Sequence, residues 1–244
     1  MSSRLYSTDL AFIHHVGHGE FARRVAPEII RILRANGIAR GLIVEAGCGS
    51  GILAAQLVAA GYNVPGIDQS AAMIRLARAT APAARFRVAS LAHASIPPCR
   101  AIIAAGEVIT YVGRREASAF IRRAGARLEP GDLFVFDFIE SGAHRTYALR
   151  TRVGDGWSLT SRASLNASAR LLTRHIATTR QIRGTLRRLR ETHRVRIYRR
   201  SEIAAVLATA GFEFTMRRRF GRCPLLPGNV AVIARRLRTP GTTL

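Results

Sequence analysis

The chain contains no lysine, and all 38 of its basic residues are arginines. Excluding one cation over 244 residues is a compositional habit, so the formal net charge of +23 does not by itself establish a nucleic-acid partner. Acidic residues are also scarce, 15 in all, which makes the place of each one informative. Cys48, Cys99 and Cys223 are too few and too scattered for a disulfide framework or a zinc cluster, and a reducing, cytoplasmic setting is expected. Long apolar runs are missing. The longest, Ala101 to Val112, is interrupted by Glu107 and is too short to span a bilayer, and Met1 to Phe12 lacks an apolar signal core, so no membrane segment is expected. With 48% apolar residues the chain can bury a sizeable core, which excludes disorder as its main state.

The apolar pattern reads as alternating helices and strands. Phe21, Val25, Ile29, Ile32 and Leu33 recur at helical spacing with arginines mostly opposite, and Asn36-Gly37 supplies a stop. Leu42-Ile43-Val44 is a buried strand leading through a glycine-rich turn into an alanine-rich helix ending near Gly61. Strands follow near Asn63 to Ile67, Arg85 to Ala89, Ala101 to Ala105 and, after a Glu129-Pro130-Gly131-Asp132 turn, Leu133 to Phe138. Helices are expected from Ser70, as N-cap, to Ala79 and from Arg114 to Leu128. Such alternation predicts a parallel sheet covered on both faces.

From about Arg145 to Tyr198 the period becomes two, through Leu159, Ser161, Ala163 and Leu165, then Thr173, His175 and Ala177, then His193, Val195 and Ile197. These are expected to be antiparallel strands, with Arg174, Arg194 and Arg196 making one face basic. Ser201 is expected to cap a last helix to Ala210, before strands at Phe212 to Arg217 and Asn229 to Arg235. The expected organisation is an N-terminal lid and entry helix (1–40), a ligand-binding domain (41–144 and 199–244) and the inserted sheet (145–198), serving as acceptor lid or dimer surface.

The sharpest motif is Val44-Glu45-Ala46-Gly47-Cys48-Gly49-Ser50-Gly51, at the turn from a buried strand into a helix. Glycines there let a ligand approach the backbone, and the helix start presents free amides. In dinucleotide oxidoreductases the third glycine usually follows the second by three residues. Here it follows by two, and Glu45 precedes the first, which disfavours a nicotinamide oxidoreductase.

With that spacing the chain resembles the class I S-adenosylmethionine-dependent methyltransferases of bacterial small-molecule type. The resemblance extends to Gly66-Ile67-Asp68-Gln69-Ser70 with Met73, to Phe86–Leu91 as the adenine-edge segment, to Ala104-Ala105-Gly106-Glu107, and to Leu128–Asp137. It implies an α/β Rossmann-like seven-stranded sheet whose final strand is antiparallel, with the β insertion before the last helix. It implies S-adenosylmethionine as cofactor, held by Glu45, Gly47, Cys48, Gly49, Gly51, Asp68, Gln69, Met73, Ser90, Leu91 and Gly106. Asp68 is suited to accept both ribose hydroxyls, and Met73 to pack near the adenine. The adenine segment departs from the family at Ser90, where an aspartate is common.

Ala11 to Gly19 resembles the segment that closes over the active site in such enzymes. His14 is the first choice for a substrate-facing base and His15 the second, since imidazole titrates near neutral pH. His14 and His18 have the spacing of a metal pair, but nothing is placed to complete it, so no metal is expected. Glu107 and Tyr111 follow the fourth strand, where they are expected to orient the acceptor and wall its pocket; the loop lacks the Asn/Asp-Pro-Pro-aromatic pattern of adenine and glutamine N-methyltransferases. His144, Tyr147 and Tyr198 flank the insertion, where strand-end packing accounts for them as well as pocket lining does.

The expected reaction is methyl transfer to an O or N nucleophile of a small metabolite, an acidic one if the arginines select it. The alternatives are an RNA methyltransferase gripping phosphates through the insertion, and a noncatalytic scaffold. Few aromatics interleave with the arginines to stack bases, and an abandoned site would tolerate side chains at Gly47, Gly49 and Gly51.

Overall fold

The computed structural model describes residues 5–142 and 146–238. Two helices open it, α1 (Thr8–His18) and α2 (Glu20–Ala35), followed by β1 (Gly41–Ala46), α3 (Ile52–Ala59), β2 (Tyr62–Asn63), β3 (Pro65–Asp68), α4 (Ala71–Thr80), β4 (Arg85–Val88) and β5 (Cys99–Ala104). A short 3-10 turn at Val108–Tyr111 leads to α5 (Arg114–Gly125) and β6 (Leu128–Ile139). The insertion is β7 (Tyr147–Gly154), β8 (Trp157–Asn166), β9 (Leu171–Ile182) and β10 (Thr185–Arg196). The chain closes with α6 (Arg200–Thr209), β11 (Phe212–Arg217), β12 (Arg219–Phe220), β13 (Cys223–Pro224) and β14 (Asn229–Arg236).

The main sheet runs β11-β14-β6-β5-β1-β3-β4, with β2 paired to the start of β1. All neighbours are parallel except β14, which lies antiparallel to both β6 and β11. Alternating side chains divide the core in two. Val44, Ile102, Phe134 and Phe136 pack with Phe120 of α5 and Leu207 of α6, whereas Ile43, Ile103 and Val135 pack with Ile29 of α2, Leu57 of α3 and Ile74 of α4. Each fully buried Phe or Ile contributes about 1.5–3 kcal/mol, so both sheet faces need their helices.

Three local expectations are corrected. The Glu129–Asp132 turn is a kink inside one continuous strand, where Asp132 accepts the Glu129 N–H at 2.9 Å. The N-cap of α6 is Arg199 rather than Ser201; Glu202 reaches back to accept the Arg199 N–H at 2.9 Å, and Ser201 lies within the first turn. Arg174 does not share a face with Arg194 and Arg196, because the register sets it beside His193 on the opposite, inner face. Ser70 does cap α4, its Oγ accepting the Met73 N–H at 3.1 Å.

β1 continues to β3 on one side, while β5 returns on its other side, so the chain reverses direction across the sheet between β1 and β5. The ends of these strands form the crevice where ligands bind in open α/β sheets. Over it lies α1, packed between α4 and the four-stranded sheet β10-β9-β8-β7. Leu10 and Ile13 of α1 bury against Leu159 and Ile176 of that sheet.

Candidate active site

β1 delivers its last residues to the crevice and turns sharply. Gly47 has φ of +69°, and a Cβ there would lie 2.4 Å from Val108 Cγ1, so only glycine fits. Gly49 (φ +52°) faces open space, leaving its backbone accessible, and Gly51 caps α3. The turn is pinned to β3 by the Cys48 N–H, which donates to the Ile67 carbonyl at 2.9 Å. The Cys48 side chain is buried, and its thiol is pushed far above its ordinary value by burial, so it is inert.

Two carboxyls meet this loop. Asp68, half-buried at the tip of β3, accepts the Gly49 N–H at 3.0 Å and the Ser70 N–H at 2.8 Å, one on each oxygen. A second lone pair on each oxygen remains for a diol. Glu45 is 4% exposed and its Oε2 has no hydrogen-bond partner. Burial, and then the Asp68 charge, push the Glu45 carboxyl up to about 8. A buried carboxyl with a free oxygen beside an open glycine loop fits a ligand that brings its own ammonium and hydroxyl donors. S-adenosylmethionine has both.

Gly47, Asp68, Gln69, Leu91, Gly106 and Tyr111 are brought together around one cleft, with Val108 and Val112. Its volume is about 70 Å³, below the several hundred Å³ typical of small-molecule sites. Tyr6 is tied to residues beside it, accepting from Ser70 Oγ at 2.7 Å on its carbonyl and contacting Tyr111 through the two hydroxyls at 3.2 Å. Met73 is buried in α4, and Ser90 accepts the Ala92 N–H at 3.2 Å within its own loop.

The two candidate bases of α1 face different ways. His15 Nδ1 lies 2.9 Å from Ser50 Oγ, on the glycine loop. His14 meets the Tyr6 ring edge-on at 5.2 Å and stacks on His18 at 5.6 Å. Burial and the nearby His18, His15 and His193 charges hold His14 down to about 4, so it is neutral at physiological pH. Tyr147 packs with Tyr111 around Ile139 and Val195, Tyr198 is buried against Phe138, and His144 lies outside the described residues.

Glu107 stands at φ +65°, a conformation a side-chain-bearing residue adopts at a cost of about 1–3 kcal/mol. Buried Asp137 of β6 holds it there, accepting the Gly106 N–H at 2.6 Å and the Glu107 N–H at 3.1 Å. The Glu107 carboxylate is then taken by Arg174 of β9 at 2.9 Å and by Asn229 Nδ2 at 2.9 Å. Burial, followed by the Glu107 charge, raises Asp137 to about 7. Glu107 is thus the tie between the main sheet and the insertion.

Sequence reasoning did not single out Tyr6, Arg174, His193 or Asn229 as site residues. His193, 1% exposed, lies 4.9 Å from the Tyr6 ring and 5.8 Å from the Tyr111 ring. Period two placed it in a strand, and only the register shows that it faces inward. Asn229 sits 122 residues from its partner Glu107, and no local pattern marks it.

Residues 43–131 match a family model described as a methyltransferase domain. Among solved structures the chain is similar to the CcbJ methyltransferase of Streptomyces caelestis, at 19% identity over 96% of this chain and 98% of that one, with a TM-score of 0.77. It is similar to the sugar N-methyltransferase KedS8 of Streptoalloteichus (16% identity, 98% and 95% covered, TM-score 0.76). It is also similar to CalS10, an amino pentose methyltransferase of Micromonospora echinaspora (19% identity, 96% and 100% covered, TM-score 0.73). No curated protein matches. At these identities the likeness is one of fold.

Proposed function

We propose, from the premise that residues 43–131 are a methyltransferase domain within a Rossmann-like methyltransferase fold, that the chain transfers a methyl group to an oxygen or nitrogen of a small metabolite. S-adenosylmethionine, when bound, supplies an electrophilic methyl group on a sulfonium. The residues to hold it are Glu45, the Gly47–Gly51 loop, Asp68, Gln69, Leu91 and Gly106. The observation that carries the reading is the free, buried Glu45 oxygen beside the open Gly49 backbone and Asp68.

Alignment of nucleophile and methyl group supplies much of the rate in such a displacement, so the chain's task is mainly to enclose and orient. Tyr6, Tyr111, His14 and His193 form a cluster of rings that joins the cleft, through Tyr111, to β10 of the insertion. As an acceptor wall, that cluster suits a compact acceptor carrying an amine or hydroxyl, in keeping with the sugar and amino pentose substrates named for two neighbours of this fold. An RNA acceptor is favoured by one feature only, the arginines on the outer face of the insertion, and that face points away from the wall.

Calorimetric titration of nuclease-treated protein with S-adenosylmethionine and, in parallel, NADH tests the reading. Binding of the methyl donor alone is expected. Binding of neither, or of NADH, overturns it.

A further inference from the structure

Four donors converge on the Glu191 carboxylate of β10. They are the Tyr6 N–H (2.8 Å), the Ser7 N–H (2.9 Å), the Ser7 hydroxyl (2.5 Å) and His193 Nε2 (3.0 Å). Burial alone would raise this carboxyl, but the bonds from His193 and Ser7 hold it below its ordinary value, so it is ionised and can only accept. The His193 proton facing it must therefore sit on Nε2. That leaves Nδ1 as the basic nitrogen, and Nδ1 is buried with no hydrogen-bond partner. A buried, unpartnered ring nitrogen in an otherwise satisfied cluster is costly unless a ligand completes it.

The surroundings of His193 place its ring among the side chains of the proposed acceptor wall. Tyr6 and His14 face it from the N-terminal segment, Tyr111 from the turn after β5, and Arg174 from the neighbouring position on β9. Arg174 is already committed to Glu107, so its charge is balanced. Tyr111 also lines the cleft between Gly47 and Asp68. The ring is thus one side chain away from where the cofactor-binding residues end.

We propose that His193 is the proton acceptor for the methyl-accepting group, an amine or a hydroxyl, and that Glu191 is the positioning residue that fixes its tautomer and ties it to the closed N-terminal segment. This rests on the methyltransferase reading. As the acceptor's lone pair forms the bond to the methyl carbon, the carbon–sulfur electron pair returns to sulfur and the acceptor's proton passes to Nδ1. The imidazolium so formed is stabilised by the Glu191 carboxylate. Because Glu191 also holds Tyr6 and Ser7, opening the N-terminal segment removes three of its four bonds and frees the ring, so the base is fully oriented only when the site is closed.

The test is ¹⁵N NMR of the full-length protein labelled with [¹⁵N]histidine, titrated from pH 5 to 9, with His193→Gln used to assign the resonance pair. At high pH the wild type is expected to show His193 protonated on Nε2 and bare on Nδ1. Glu191→Gln is expected to mix the tautomers, Glu191→Asp to restore the preference in part, and Ser7→Ala to weaken it. A protonated Nδ1 at high pH, or tautomer populations that are the same in wild type and Glu191→Gln, overturns the proposal. In a second arm, tritium from [methyl-³H]S-adenosylmethionine is followed into a panel of amino sugars and phenols. There His193→Gln is expected to lose roughly 100-fold or more in kcat together with the acidic limb of the pH profile, while donor affinity by calorimetry stays within about twofold. Retained kcat in that variant also overturns it. Failure of the wild type to bind the donor instead sinks the methyltransferase reading, and the tautomer result is read independently of it.

Discussion

At the scale of single residues, the proposed donor half of the site turns on two carboxyls in different surroundings. Asp68 is held by two backbone amides and keeps lone pairs for a diol. Asp68→Ala is therefore expected to weaken S-adenosylmethionine binding by about 1–3 kcal/mol, read by calorimetry; unchanged affinity would remove Asp68 from the donor site. Glu45 is raised to about 8 and Asp137 to about 7, both from ordinary values near 4. The folded chain thus keeps protons that the unfolded chain would release. Their contribution to stability is complete below about pH 4 and is lost as pH rises through 7 and 8. Melting temperature is expected to fall between pH 6 and pH 9, by roughly 2–4 °C for each kcal/mol, and Glu45→Gln is expected to flatten that fall.

At the scale of elements, α1 is a latch between two sheets. Asp9, with no exposed surface, pairs with Arg187 of β10, whose Nε lies 2.6 Å away, and with Arg180 of β9 at 3.4 Å. At the other end of the helix Arg152 donates to the Gly17 carbonyl at 2.7 Å. A Cβ on Gly17 would lie 2.7 Å from the Trp157 ring, so helix and insertion touch through the glycine. Trp157 is the chain's one tryptophan, a built-in reporter of this contact. The cleft of about 70 Å³ is expected to widen when the donor enters, so donor binding should change Trp157 fluorescence. Removing the Asp9 carboxylate strands two arginines, and Asp9→Asn is expected to speed hydrogen exchange across α1 by about tenfold while sparing β1 and β5. Equal exchange in the two proteins would mean that the ion pairs do not hold the latch.

At the scale of the whole molecule, the positive charge is divided by the inserted sheet. On its inner face Arg174 pairs with Glu107, Arg180 and Arg187 share the Asp9 carboxylate, and Arg152 donates to the Gly17 carbonyl. Arg188, Arg190, Arg194 and Arg196 alternate outward along β10, and no carboxylate pairs with them among the described residues. The outer face therefore carries unbalanced charge, while the inner-face arginines are engaged with α1 and Glu107. Weak binding of poly(U) with a steep salt dependence is expected. Replacing Arg188, Arg190 and Arg194 by serine should reduce the slope of log K against log salt by up to about 2, near 0.7 per lost phosphate contact. Donor affinity should stay unchanged; coupled losses would favour the RNA reading.

The glycine loop and the two carboxyls of the proposed donor side were legible because their geometry is local. Glu45, the glycine loop and Asp68 are set by strand-to-helix turns whose spacing is visible in the chain, and the helix and strand periods predicted the layered sheet that presents them. The proposed acceptor side was not, because it is built by contacts that no period records. Tyr6, Arg174, His193 and Asn229 come from four distant segments. Whether Arg174 and Arg194 face opposite ways depends on the register of β9 on β10, and a shift of one residue would put them on the same face. Sequence alone determined the sheet, the turn and the kind of ligand they suit, since backbone geometry follows from residue type over a few positions. The tertiary structure decided which side chains face one another across the site, since that depends on how separate elements bury their apolar faces together.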